Sequence, residues 1–202
     1  MAGSGPARAG RSILALLRPE ETAEVLRRLI ENDPRLQEQA EQTGQKILKE
    51  VSCEDIAAEV EAVLGGLDAD EVSSRAGGHS WGYVDPGEAA VELVEEAVQP
   101  FLEDMKRRRG LGHEDQALEV CKGVILGLYR IEQEGESEVV AVAPDALSEQ
   151  AGWTLSIWRK DAKKGKARRR VSKKRAAERI FPKAWAMRFV PEWASFLVRN
   201  RD

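Results

Sequence analysis

An all-α protein is what this chain predicts, on three observations. Apolar residues recur at helical rather than strand spacing, helix start and stop signals follow one another from Pro19 onward, and alternation of the strand kind never lasts more than a few residues. Proline followed by Glu20 and Glu21 suits a first helical turn. The proline needs no N–H there, and the acids face the positive end of the helix dipole. Val25, Leu26, Leu29 and Ile30 then share a face, and Asp33-Pro34 repeats the start signal for a helix carrying Leu36, Ala40, Ile47, Leu48 and Val51, with Gly44 as a weak point.

Ser52 and Asp55 resemble a capping box ahead of Ile56, Val60, Val63, Leu64 and Leu67, and Gly65-Gly66 loosens the end of that helix. Asp85-Pro86-Gly87-Glu88 is the clearest start signal in the chain. The helix it opens buries Ala89, Ala90, Leu93, Val94, Ala97, Val98, Phe101, Leu102 and Met105, and Pro100 inside it calls for a kink near Glu96 or a break. Arg107-Arg108-Arg109-Gly110 reads as a cationic C-terminus with a glycine stop. Glu114 to about Glu134 presents Leu118, Cys121, Ile125, Leu128 and Tyr129 on one side, and Pro144 to Trp158 forms a further helix interrupted by Gly152. Helices of this kind pack as antiparallel hairpins, in a bundle or a short helical-repeat solenoid, although no strict repeat period is present.

Charge divides the chain. Residues 163–175 hold nine cations and no anion, on a protein whose formal net charge is −4. From Arg159 onward 16 Lys+Arg stand against 4 Asp+Glu, a net of +12, which leaves −16 for residues 1–158. With the shift of composition near Gly152, the expected organisation is a segment 1–18 with a short helix, an acidic helical body 19–152, and a basic, aromatic-rich extension 153–202. No apolar stretch approaches the ~18 residues of a membrane span, and Ile13 to Leu17 is too short for a signal-peptide core, so a cytoplasmic protein without membrane attachment is expected.

The order of features from about Leu16 to Tyr129 resembles the α-helical region that accompanies SWIM-type zinc fingers, and a related bacterial helical family of unassigned function. The residues that carry it are Leu16-Leu17, Val25-Leu26 and Leu29-Ile30 closed by Asp33-Pro34-Arg35-Leu36, and the Ile56 to Leu67 helix. After these come the step Tyr83-Val84-Asp85 into the Ala89 to Leu102 helix, and Ala117-Leu118-Glu119 leading to Leu128. The Cys-x-Cys…Cys-x-His signature of the finger itself does not occur in the chain. The resemblance implies a helical-repeat interaction module and supplies no catalytic residue.

Cys53 and Cys121 are too few and too far apart for a disulfide framework. With His79 and His113 they lack the two-to-four-residue spacing of a zinc grip, so both are expected in the core, with no metal and no cofactor. Gly77-Gly78-His79-Ser80-Trp81-Gly82-Tyr83 reads as a glycine-rich loop with Trp81 and Tyr83 plugging it onto the body, or as a recognition loop built on His79, Trp81 and Tyr83. No nucleophile elbow, Walker loop or dinucleotide glycine pattern is present, so no enzyme is expected, and a hydrolase using His79 beside Ser80 with the acidic residues is the third and least supported reading.

Lys163, Lys164, Lys166, Arg168, Arg169, Arg170, Lys173, Lys174 and Arg175 are the candidate partner-binding residues. Three readings of the run stay open: a phosphate-binding surface for RNA or DNA, a docking arm for an acidic protein face including that of another copy, or a solvated connector. Trp153, Trp158, Trp185, Phe189 and Trp193 flank or follow it, and docking against the body is their expected role. Pro182 and Pro191 confine any helix there to the interval between them. The functional expectation is a non-enzymatic helical scaffold or adaptor engaging a larger protein through this segment, with sequence-tolerant nucleic-acid binding as the alternative. The oligomeric state is not encoded in any motif.

Overall fold

The computed structural model describes residues 13–79, 82–135, 141–160 and 180–199. The protein is all-α, and the chain divides into two compact units, Met1–Ile47 and Leu48–Asp202. No helix among the described residues is long and apolar enough to cross a membrane.

The first unit contains a 3-10 turn at Ile13–Leu16, α1 (Pro19–Asn32) and most of α2 (Pro34–Lys49). Glu21 closes the start of α1 by accepting the Arg18 amide at 2.9 Å, and Asp33 starts α2 by accepting the Arg35 amide at 2.8 Å. Neither helix has a fully buried residue.

The second unit is built around α6 (Glu114–Glu134), which packs against α3 (Cys53–Gly65), α5 (Pro86–Gly110) and α7 (Ala146–Arg159). Ser52 and Asp85 are the N-caps of α3 and α5, as the sequence predicts. Ser52 accepts from the Asp55 amide at 3.4 Å, and Asp85 accepts from the Gly87 amide at 2.8 Å. The core they position holds Ala57, Val60 and Leu64 of α3, Leu93, Val98, Leu102 and Met105 of α5, and Val120, Val124 and Leu128 of α6.

α6 carries two glycines one turn apart on the face that meets α3. A Cβ on Gly123 would lie 2.5 Å from the Ile56 Cβ and 2.8 Å from the Cys53 carbonyl oxygen; one on Gly127 would lie 2.8 Å from both the Ala57 carbonyl oxygen and the Val60 Cβ. Contacts under 3.0 Å to backbone leave no room for a methyl, so the two helix backbones touch through the glycines. Because 53 and 56 sit beside 123 while 57 and 60 sit beside 127, α3 and α6 run in the same direction. Arg130 of α6 straps them together, donating to Glu54 at 2.7 Å and Glu61 at 3.0 Å.

Several details depart from the sequence reading. α5 continues through Pro100 from Pro86 to Gly110, so the break is not adopted, and Pro100 lies on the exposed side where a missing N–H is least costly. Gly110 is the last helical residue rather than the stop; Gly112, at φ +85°, takes the left-handed position of the turn, where a Cβ is penalised. Gly152 does not interrupt α7. A further short helix, α4 (Ala69–Arg75), starts at Asp68, which accepts the Glu71 amide at 2.9 Å, and Arg75 ties it to α5 through a two-pronged pair with Glu96 at 2.8 Å.

Two short paired strands form in the glycine-rich stretch. β1 (Gly77–His79) pairs antiparallel with β2 (Gly82–Val84), in register Gly77 with Val84, Gly78 with Tyr83 and His79 with Gly82. Tyr83 is 72% exposed and plugs nothing, because position 83 turns its side chain away from the core that the partly buried Val84 faces. Trp81 lies outside the described residues.

Candidate functional site

The nine cations 163, 164, 166, 168–170 and 173–175 all lie outside the described residues, whereas both ends of their segment are described. α7 delivers the chain to Trp158, Arg159 and Lys160 on one side of the segment, and Ile180-Phe181 stand on the other. Phe181 is fully buried, at 0% exposure, and meets the Trp158 ring edge-on with centroids 6.1 Å apart. The two ends of the basic segment are thus closed on one another by an aromatic contact in the core.

Beyond Phe181, α8 (Lys183–Phe189) occupies the interval that Pro182 and Pro191 allow, and α9 (Ala194–Val198) follows. Trp185 stacks edge-on to Phe181 at 5.5 Å and lies 5.4 Å from Phe189; both Trp185 and Phe189 are half-buried against the core. Trp193 is 5% exposed and meets Tyr129 of α6 edge-on at 5.3 Å. Edge-on aromatic pairs contribute about 0.5–1.5 kcal/mol each beyond area burial, so several in series hold α8 and α9 firmly. Trp153 differs: it is 51% exposed, with the Lys160 ammonium 4.5 Å from its ring centroid.

Two arginines complete this frame: Arg109, which the sequence marks only as part of a cationic helix end, and Arg159, to which it assigns no role. Arg109, buried at the end of α5, donates to the carbonyls of Ile157, at 2.8 Å, and Lys160 at the C-terminus of α7. Arg159 donates to the carbonyls of Leu197 at 2.8 Å and Arg199 at 3.3 Å at the end of α9. The last carbonyls of a helix have no partner within it and carry partial negative charge, so a guanidinium from a neighbouring helix satisfies both needs. Arg109 therefore holds the α7 end of the frame, and Arg159 ties that end to the end of α9.

Carboxylates gather where α9 approaches α6. The Tyr129 hydroxyl donates to Glu192, and the Trp193 indole to Glu132. Burial raises the Glu132 carboxyl above its ordinary value, and Glu192 and Asp145 nearby add to the rise against the indole bond. Glu192 is held below its ordinary value by the Tyr129 bond. The Tyr129 hydroxyl is pushed up to about 12, first by burial and then by Glu192. Because the folded value lies above the unfolded one near 10, this contact's contribution is complete below pH 10 and is lost as pH rises toward 12. Stability of Tyr129→Phe and of the wild type, compared from pH 8 to pH 12, should therefore converge above pH 10; a constant difference would show that the hydroxyl does not titrate with folding.

Cys53 is partly buried on α3 and Cys121 fully buried on α6. Burial pushes the Cys53 thiol up to about 12, with Glu119 and Glu54 adding to the rise, and burial likewise raises Cys121. Neither is a thiolate at neutral pH. Among the described residues no group of three or more His, Cys, Asp or Glu is placed to hold a metal ion. Compared with known protein families, curated proteins and solved structures, the chain matches none.

Proposed function

We propose that this protein is a non-enzymatic, cytoplasmic helical adaptor that engages a larger protein partner through the basic segment 163–175. The observation that carries the reading is the Trp158–Phe181 contact at the two ends of that segment. A simple connector does not require its ends to be closed by a buried aromatic pair and two arginine clamps, whereas a segment presented to a partner gains from a fixed base. Trp158, Phe181 and Trp193 are committed to the interior and are not available to stack on bases, which favours a protein partner over nucleic acid. Arg168, Arg169 and Arg170 would then steer association, since charged contacts at an interface rim act mostly on encounter rate.

Nucleic-acid binding without sequence preference is the second reading, favoured by the half-exposed Trp153 beside Lys160. A pull-down from source-cell lysate with the wild type and with Arg168, Arg169 and Arg170 changed to alanine separates the two. A protein partner retained after nuclease treatment and captured more slowly by the triple variant is the expected result. Retention that vanishes with nuclease, with a salt slope flattened by about one unit per lost arginine, would establish the nucleic-acid reading instead.

A further inference from the structure

Between α5 and α7 a cavity of about 200 Å³ is lined by Val94, Glu95, Ala146, Glu149, Gln150 and Trp153, among others. Three features point to its ligand. Glu95 and Glu149 are exposed and pair with no cation among the described residues, so the rim carries two open carboxylates. Trp153 is the half-exposed indole already described, and the Lys160 ammonium 4.5 Å above it shows that the ring takes a cation; Lys160 does not itself line the cavity. Gln150 is only 4% exposed, and its amide nitrogen is buried without a hydrogen-bond partner.

Each feature corresponds to one part of a lysine or arginine residue in a peptide. Carboxylates receive the charge, and the indole face attracts it through the ring quadrupole. Val94 and Ala146 offer an apolar wall to the methylene stem, while the unpartnered amide seeks an acceptor such as a backbone carbonyl. Phosphate is disfavoured at the same place, since it would meet Glu95 and Glu149.

We propose that this cavity binds a lysine or arginine side chain of a basic peptide, and that the peptide is the 163–175 segment of a second copy of this chain. Charge complementarity selects the occupant. Residues 1–158 carry a net −16, and residues 163–175 supply nine cations without an anion, so two copies offer each other what the cavity requires. The inference rests on the preceding reading in taking that segment as the docking element, and adds an acceptor for it.

The test uses the full chain and a labelled synthetic peptide of residues 163–175. Peptide binding should perturb tryptophan emission, weaken with salt, and become about tenfold weaker, equivalent to about 1.4 kcal/mol, in Glu95→Gln/Glu149→Gln and in Trp153→Leu. Sedimentation at low salt should show dimer for the wild type and monomer for the double glutamate variant. Both glutamates are exposed, so the helical circular dichroism of that variant should match the wild type. Equal peptide affinity in wild type and variants, a wild type that stays monomeric at low salt, or a Trp153 response to a single-stranded oligonucleotide but not to the peptide would each overturn the proposal. A failed peptide titration alongside a nuclease-resistant, arginine-dependent pull-down would remove this cavity and leave the adaptor reading standing.

Discussion

Replacing Gly127 with alanine should destabilise the protein by about 1–3 kcal/mol, the range for forcing an added group into a packed interior. Helix propensity argues the other way, since alanine in a helix is favoured over glycine by about 1 kcal/mol. Packing wins because the new methyl would stand 2.8 Å from the Ala57 carbonyl oxygen and from the Val60 Cβ, and a backbone carbonyl cannot swing aside as a long side chain can. Gly123→Ala should behave alike, with the Cys53 carbonyl at 2.8 Å and Ile56 closer still. Gly152→Ala in α7 is the internal control. Nothing lies within 4 Å of its added Cβ, so the same change there should stabilise by about 0.5–1 kcal/mol. Chemical denaturation of the three variants should give opposite signs for 127 and 152. Two stabilised proteins would mean that α3 and α6 do not touch through their backbones.

Truncating Phe181 to alanine should cost about 3–5 kcal/mol, as for other fully buried phenylalanines, and that is a large share of the roughly 5–15 kcal/mol that holds a domain folded. The loss is not confined to one cavity. Phe181 contacts Trp158 on α7 and Trp185 on α8, so its removal also loosens the closure at the base of the basic segment. Amide exchange in α8 and α9 should therefore rise before the rest of the second unit unfolds. Phe181→Leu keeps most of the buried area and should recover a good part of the loss. Met187→Ala, at an exposed site on α8, should be close to neutral. A Phe181→Ala protein with the denaturation midpoint of Met187→Ala would detach the C-terminal helices from the core described here.

The candidate site is partly legible in the sequence. Aromatics around a basic run were expected to dock, and Trp158, Trp185, Phe189 and Trp193 lie in or against the core, while Trp153 remains half-exposed. The clamps were not legible. Arg109 reaches a carbonyl 48 residues away and Arg159 one 38 residues away, and nothing in the spacing of an arginine announces a distant helix end. No sequence spacing pairs Glu95 with Glu149, which α5 and α7 bring to one cavity beside an indole.

By itself the sequence determined the helical class, the starts at Pro19, Pro34, Ser52 and Asp85, the confinement of α8 between Pro182 and Pro191, and the separation of charge along the chain. These depend on residues within one turn of each other, where caps, proline and periodicity act directly on the backbone. Tertiary structure alone decided that Gly123 and Gly127 admit α3, that α5 carries on through Pro100, that 77–79 pair with 82–84, and that Phe181 returns to Trp158. Each of those depends on how closely two backbones or two distant side chains approach, a quantity that the energy of the whole packed core selects and that no local pattern records.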